Sequence, residues 1–550
     1  MSASTIALLL AAIGMAPLVV LQQRHTLHLL QLEHYENARM FVWLRRREEL
    51  VPRPWAPVRV GIGIVAVVLA ALGAPIVTIV ACAAQVVVGV IPEALAHVRR
   101  EEIKPLVYTP RARRILTGAL VPVAVVLLAG IGASLAGGVA AAIACALVLV
   151  AVTTVPAALT GAANRALMPY EKRVNERFVR SARATLADVR PRVIGITGSY
   201  GKTTTKVCVG AVLQRQAPTL ITPASFNSFL GIVRTINEHL RPEHASFVVE
   251  MGMYRKGDIE ELCELVDPTI GIITAIGPAH LERLGSIEAI VDAKAELALA
   301  LPADGHLVTN ADDPRCLEIA SRTRAQVTLF GISADAAVRA ENIRIDAGRT
   351  LFDLVIGDAR APVAAGLLGA HNVGNLLAAA AAGTVAGMPI GEIVRGLEAV
   401  EPPEHRLQPM PNPRAGIVVI DDAYNSNPSG AAAALAVLRE HPAQRRILVT
   451  PGMVELGDVE EAENEKFGRL AAAACDRVIL VGPRRTVPIR RGLLAAGFDP
   501  AAIDVVQNIG EATTVLAGLT RAGDVVLFEN DLPDMYAEAP EQPSGALAAR

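Results

Sequence analysis

The sequence predicts an α/β protein in two parts: a helical membrane region, then two doubly wound α/β domains. Three observations predict it. The long uncharged runs all lie before Thr160. From about residue 185, short β-type runs alternate with helical patterns. One of those runs, Val193 to Ile196, enters Gly198-Ser199-Tyr200-Gly201-Lys202-Thr203-Thr204, a glycine turn that opens a helix.

The membrane part comes first. Charged residues are 19% of the 550 and aromatics 3%, and mean hydropathy is +0.40. That is too apolar for an ordinary soluble chain. Thr5 to Leu21 is uncharged and reads as a first span, on the short side. Val60 to Ile91 is uncharged and too long for one span, so it reads as a helical hairpin turning near Gly73-Ala74-Pro75. Ile115 to Thr160 reads as a second hairpin, broken near Gly137-Gly138. Five spans result. Basic segments follow spans one, three and five: Arg24 to Arg59, Arg99 to Arg114, and Lys172 to Arg183. The positive-inside rule puts them in the cytoplasm and the N-terminus outside. The expectation is a multi-pass plasma-membrane protein with cytoplasmic α/β domains and membrane lipids as partners. Leu27 to Leu44, a polar loop with Leu29, Leu30, Met40, Phe41 and Trp43, is expected on the inner leaflet. Buried soluble helices are the competing reading of the Ala/Val runs. Their length and lack of charge disfavour it.

Residues 1–184 thus read as the membrane region, 185–400 and 401–536 as the two α/β domains, and 537–550 as a disordered tail. The β-type runs of the first domain are Val193–Thr197, Ser246–Glu250, Ile270–Ala275, His306–Thr309 and Val327–Phe330. Residues 337–365 read as antiparallel strands turning at Ala347-Gly348, and an alanine-rich helix follows from Val373. A boundary falls near Pro402-Pro403. The second domain has Ile417–Asp421, Arg446–Thr450, Arg477–Val481 and Val525–Glu529.

The formal net charge of −2 argues against general nucleic-acid affinity. The six cysteines are scattered and form no C-x-x-C pair. They signal neither a disulfide framework nor a cysteine zinc site.

The glycine turn has the chemistry of a phosphate cradle. Gly198 and Gly201 let backbone N–H groups face an anion, and the helix N-terminus adds partial positive charge. Lys202 supplies a full charge for the β- and γ-phosphates, and Thr203 a hydroxyl for Mg²⁺. The spacing is shorter than the usual G-x-x-x-x-G-K-[ST], because Ile196 stands five before Gly201. A glycine turn before an ordinary helix is the competing reading.

These residues and several later segments resemble the Mur ligase family over about residues 190 to 530. Thr197 to Thr204 looks like its ATP loop. Ala224-Ser225-Phe226-Asn227-Ser228-Phe229-Leu230-Gly231 is similar to its asparagine-glycine segment. Glu250-Met251-Gly252 matches its acidic strand end, Gly277 to Ser286 its histidine motif, and Ala293-Lys294-Ala295-Glu296 its lysine motif. Gly369 to Asn375, Asp421 to Pro428 and Gly452 to Gly457 complete the set. The last segments look most like the branch that adds D-alanyl-D-alanine to a UDP-muramoyl tripeptide.

The resemblance implies a P-loop-type central domain, a Rossmann-like C-terminal domain and an ATP-dependent amide ligase. Its cofactors would be ATP and Mg²⁺. Gly198, Ser199, Tyr200, Gly201, Lys202, Thr203 and Thr204 would cradle ATP. Asn375 would lie near adenine, Arg406 would reach the nucleotide from the linker, and Asp421 would contact ribose. Lys202, Glu250, His280 and Lys294 would be catalytic. Thr203, Glu250, His280 and Lys294 would serve Mg²⁺, with Lys294 carbamylated into an anionic group. Asn227, Tyr424 and Asn425 would touch substrate, a small-molecule or lipid-linked cell-wall precursor. Two departures stand out. Family members of this branch begin with a small uridine-nucleotide domain, and here an apolar region takes its place. They also carry a basic K-G-S-R-type segment near the C-terminus, where this chain has the acidic Phe528 to Tyr536. A poly-γ-glutamate synthase-like ligase is the sister reading. A transporter with a regulatory nucleotide domain and an inactive scaffold are readings from other classes. The nearly uncharged spans disfavour the transporter. The retained Lys202, Glu250, His280 and Lys294 disfavour the scaffold.

Overall fold

The computed structural model describes residues 3–46, 65, 105–136, 156–278, 284–332, 336–346, 349–412, 416–424, 426–454 and 456–531. The chain divides into two compact units, Met1–Glu176 and Arg177–Arg550.

In the first unit the helices are α1 (Ala3–Leu32), α2 (Asn37–Arg46), α3 (Pro110–Leu135) and the start of α4 (Pro156–Val189). Helix α1 does not stop at Leu21. It continues through Gln22–His28, which reads in the sequence as polar loop. The reason is tertiary: Gln23 and Thr26 find partners on α4 in place of water. Gln23 Nε2 donates to the Pro156 carbonyl at 3.1 Å, and Thr160 Oγ1 donates to Gln23 Oε1 at 2.7 Å. The Thr26 and Thr160 hydroxyls are 2.6 Å apart. Leu27, Leu29, Leu30, Met40 and Leu44 are buried in a core with Leu106, Ile115 and Ala163. These apolar residues of the Leu27–Leu44 stretch are therefore packed against protein.

Among the described residues one helix, Pro110–Ala133, is long and apolar enough to cross a membrane. Val121, Val125 and Leu128 stand exposed on it. The expected hairpin at Val60–Ile91, apart from Val65, lies outside the described residues, as do 137–155 of the second hairpin.

The second unit carries two sheets. The strands of the first are β1 (Arg192–Thr197), β2 (Thr219–Ile221), β3 (Ser246–Glu250), β4 (Ile270–Ile273), β5 (His306–Asn310), β6 (Gln326–Gly331), β7 (Val338–Asp346), β8 (Arg349–Ile356) and β9 (Ala359–Ala365). Their order is β2-β3-β1-β4-β5-β6-β7-β8-β9. Pairing is parallel as far as β7 and antiparallel from β7 to β9. The helices are α5 (Lys202–Gln214), α6 (Phe229–His239), α7 (Asp258–Val266), α8 (Ile287–Ala300), α9 (Pro314–Ala320), α10 (Ala370–Val385) and α11 (Ile390–Glu398). The alanines of α10 have a packing reason. Ala378 to Ala382 are fully buried. Small residues bring α10 and α11 onto α5: a Cβ on Gly383 would lie 2.9 Å from Val212 Cγ1, and one on Gly396 2.6 Å from Val212 Cα.

The second sheet has β10 (Gln408–Asn412), β11 (Ile417–Asp422), β12 (Arg445–Thr450), β13 (Arg477–Val481), β14 (Ile503–Val506) and β15 (Asp524–Glu529). Its order is β10-β11-β15-β12-β13-β14, parallel except for β10. The strands β2, β10 and β14 are additions to those expected from the sequence. In β10, Pro409 and Pro411 suppress the strand signal. Proline is tolerated because β10 is an antiparallel edge, where an N–H is not needed on the open side. The turn at Ala347-Gly348 and the tail from residue 532 onward lie outside the described residues.

Candidate active site

In both sheets the candidate residues sit at the carboxyl ends of parallel strands, the edge where doubly wound folds bind ligands. The loop after β1 turns at Gly198, φ +152°, where a Cβ would lie 2.0 Å from Thr274 Oγ1. It turns again at Gly201, φ +76°, where a Cβ would lie 2.4 Å from Asn375 Oδ1. Only glycine fits both the backbone and the space. Helix α5 starts at Gly201 with no side-chain cap. Its first-turn N–H groups therefore face the loop, ready for an anion. Ser199 braces the loop from within. Its hydroxyl donates to the Gly277 carbonyl at 3.0 Å and accepts from the Gly277 N–H at 2.9 Å. The Tyr200 carbonyl accepts from Thr274 Oγ1. Thr204 is buried.

Lys202 and Thr203 open α5. The Lys202 ammonium donates to its own loop, at the Gly198 carbonyl, 2.7 Å away. Burial lowers its pKa, Glu250 opposes that, and Arg406 adds to it. Thr203 Oγ1 donates to Glu250 Oε2 at 3.0 Å. Asn227 Nδ2 donates to Glu250 Oε1 at 3.1 Å, so the asparagine segment and the acidic strand end meet as expected. Lys206, one helical turn past Lys202, donates to Glu250 Oε2 at 3.1 Å. Desolvation pushes the Glu250 pKa up, but Lys206 and Lys202 outweigh it and hold the carboxyl below its usual value.

Lys294 on α8 is 2% exposed. Burial, then the Lys202 charge, push its amine well below the ordinary lysine range. Carbamylation needs an uncharged amine, so this environment suits it. Mg²⁺ takes oxygen ligands, and Thr203 and Glu250 supply neighbouring oxygens. These donors fit the ion. Among the described residues no three His, Cys, Asp or Glu side chains group as a metal set. His280 and Asn425 lie outside the described residues.

Among the residues expected near a nucleotide, Asn375 accepts from Thr205 Oγ1 at 3.0 Å and donates to Asn372 Oδ1 at 2.8 Å. The first bond ties α10 to the first turns of α5. Arg406 lies over the Tyr424 ring, 4.3 Å from its centre. Its neighbour His405 holds Asp421, with Nδ1 and Oδ2 2.7 Å apart. Asp422 Oδ1 accepts the Leu407 N–H at 3.1 Å. His405 and Leu407 both have left-handed φ, +59° and +46°, so the linker is bent and pinned onto the end of β11 by two adjacent aspartates.

Asp422 faces Glu529 across the β11–β15 pair. Glu529 accepts from Ser426 and, at 3.0 Å, from Thr450 Oγ1. Burial raises the pKa of Glu529 to about 7. Burial and the nearby Glu529 raise Asp422 to about 7 as well.

The structure therefore gathers Lys202, Thr203, Glu250 and Asn227 at one point and Asn375 beside Gly201. Arg406, Tyr424 and Asp421 gather at the linker. Lys206, His405, Asp422 and Glu529 adjoin these groups, and the sequence did not single them out. Lys206 had a usable signal, since i and i+4 share a helix face. The two carboxyls had none, because only strand pairing brings them together.

Comparison with known proteins places the α/β part of the chain in a family. The Mur ligase middle domain matches residues 196–383, and the Mur ligase glutamate ligase domain matches 405–529. The UDP-N-acetylmuramoyl-tripeptide–D-alanyl-D-alanine ligase of Mycobacterium bovis is 36% identical over 357 residues, 61% of this chain and 70% of that protein. MurF from Acinetobacter baumannii superposes with a TM-score of 0.59 at 29% identity, covering 65% of this chain and 78% of that one. The MurF ligase of Thermotoga maritima, solved with ADP, shares the fold at 24% identity and a TM-score of 0.59, over 66% and 81% of the two chains. With both family domains in order over one continuous α/β unit, the chain belongs to the Mur ligase family, whose members are ATP-dependent amide-bond-forming ligases.

Proposed function

We propose that this chain is a membrane-anchored ligase of the MurF type, acting on a cell-wall precursor on the cytoplasmic side of the plasma membrane. One observation carries the chemistry: Lys202, Thr203 and Asn227 converge with the Glu250 carboxylate at the mouth of the glycine loop. A substrate carboxylate oxygen attacks the γ-phosphorus of ATP, and ADP leaves. An amine nitrogen then attacks the acyl carbon of the acyl phosphate, phosphate leaves and the nitrogen loses a proton. Both steps concentrate negative charge, so positioned cations lower the barrier. Lys202 would leave the Gly198 carbonyl for the γ-phosphate. Thr203 and Glu250 would hold Mg²⁺, which neutralises phosphate charge. His280 would hold a second Mg²⁺, and Lys294, as a carbamate, would serve the metal or the substrate. Asn375 would flank adenine, Arg406 the phosphates and Asp421 the ribose. Asp421 would exchange His405 for the ribose hydroxyls. Asn227, Tyr424 and Asn425 would line the substrate side.

The first substrates to test are those of the relatives, a UDP-muramoyl tripeptide and D-alanyl-D-alanine. The full chain in detergent should sustain ADP release over many turnovers only when both are present. Absence of amide product with both present would exclude this pair. A second reading keeps the reaction and changes the acceptor to a lipid-linked carboxylate. The exposed apolar face of Pro110–Ala133 favours it. The poly-γ-glutamate synthase-like alternative is weaker, because the Asp421 to Pro428 motif disfavours it. ADP release with a polyprenyl-linked muramoyl peptide, and none with the nucleotide form, would select the lipid-linked reading.

A further inference from the structure

Helix α5 carries a second lysine one turn beyond Lys202, and phosphate binding gives it no role. Lys206 is 1% exposed. Its ammonium donates to Glu250 Oε2 at 3.1 Å, and the two side chains are 1% and 2% exposed. It also donates to the Ala224 carbonyl. Ala224 holds a left-handed φ of +42°, unfavourable for alanine. The same carboxylate takes Thr203 on Oε2 and Asn227 on Oε1, and the Asn227 carbonyl accepts the Gly252 N–H at 2.9 Å. Three pieces of chain thus meet on one ion pair: the start of α5, the end of β3, and the loop Thr222–Asn227. A carboxylate buried this deeply needs a full counter-charge. Lys202 is turned to Gly198, so Lys206 supplies it directly.

We propose that Lys206 is a built-in counter-ion for the metal-side carboxylate. It neutralises and aims Glu250 when no Mg²⁺ is bound, and it pins the Thr222–Asn227 loop through the Ala224 carbonyl. Metal and nucleotide then meet a preformed site. Lys206 is a positioning residue in this account. The proposal rests on the reading of Glu250 as a Mg²⁺ ligand.

The test is thermal unfolding of the full chain in detergent, with and without millimolar Mg²⁺ and without nucleotide. Mg²⁺ alone should move the wild-type melting temperature by no more than about 1 °C, since Glu250 is already neutralised. Lys206→Met should melt roughly 5 °C lower or more, because it strands a buried charge. Mg²⁺ alone should recover about half of that loss or more. The double variant K206M/E250Q, with neither charge, should melt within about 2 °C of wild type and gain nothing from Mg²⁺. Wild-type melting by Lys206→Met, or an equal Mg²⁺ shift in both proteins, would overturn the proposal. If Lys206→Met does not fold, the double variant decides: near-native melting supports the proposal and equal failure overturns it. ATP with Mg²⁺ must stabilise the wild type. Failure there sinks the ligase reading, whereas success there without Mg²⁺-specific recovery of Lys206→Met sinks this proposal alone.

Discussion

Among the described residues Lys202 makes no direct ion pair, although its charge helps hold Glu250 ionised. Its ammonium rests on a neutral carbonyl 2.7 Å away, which a phosphate oxygen outcompetes. Lys202→Ala should leave the protein folded, since Lys206 still pairs with Glu250, and reduce kcat on the order of 10²–10³-fold, the loss of one charge-stabilising group worth ~3–4 kcal/mol. Steady-state ADP release reads this, and activity within a few-fold of wild type removes Lys202 from the mechanism. At Lys294 the expectation differs. Its amine is buried and the largest charged influence on it is another lysine, Lys202, and in the carbamate account an anion forms on it. Lys294→Ala should therefore be inactive and partly rescued by acetate, which can enter the vacated space. Full activity without acetate sinks the carbamate account. Asp422 and Glu529 make a pH prediction. Their folded pKa values, about 7, lie above the ordinary 3.8 and 4.5. The folded chain keeps protons that the unfolded chain has released, so their stabilising effect is complete below the ordinary values and is lost as pH rises towards 7. Glu529→Gln should flatten that decline in urea midpoints measured between the ordinary 4.5 and about 7. An unchanged slope would mean that Glu529 titrates normally.

Among the elements, the glycine loop is held from behind by helices chosen for smallness. Gly396 on α11 sits where a Cβ would meet Val212 Cα at 2.6 Å, against backbone that cannot rotate away. Gly396→Ala should cost about 1–3 kcal/mol by overpacking, and chemical unfolding measures it. No change would mean that α11 is free to shift outward. The alanine run of α10 was legible as a helix, because its apolar pattern is long and uninterrupted. Its closeness to α5 was not legible, since alanine is also a good helix former on a surface. Helix α1 shows the opposite error. Gln23 and Thr26 look like loop when water is taken as their partner. Hydrogen bonds from Thr160 and to Pro156 make this stretch core.

For the molecule as a whole, the division into units suggests where to cut. Ala182 is fully buried in the core of the second unit, with Val179 and Leu186 packed beside it. A fragment beginning at Arg177 keeps these contacts, and one beginning at residue 185 loses the first two. Both should fold without detergent and bind ATP with Mg²⁺, and the longer should be more stable by roughly 1–3 kcal/mol. Denaturant titration compares them. Equal stability would make the end of α4 dispensable. For the first unit, single cysteines at Ser2, near Gly73 and near Gly137 should label only from outside, in a background without native cysteines. Protection near Gly73 would mean that Val60–Ile91 does not cross as a hairpin.

Local patterns were enough for the α/β class, for nearly every strand of the two sheets, and for the chemistry of the glycine loop. Each is a property of a short stretch: an apolar run of strand length, a glycine where φ must be positive, a lysine and threonine at a helix start. Glu250, Asn227 and Asn375 could also be named, in separate segments. Which of them touch was settled by the fold alone, because β1, β3 and β4 are neighbours in space and far apart in the chain. The same holds for Lys206, whose partner lies 44 residues away, and for Asp422 and Glu529, joined only by the pairing of β11 with β15. A charge in a sequence is solvated until the fold says otherwise. Burial and the counter-charge that answers it are set by packing between distant segments, and no local pattern encodes them.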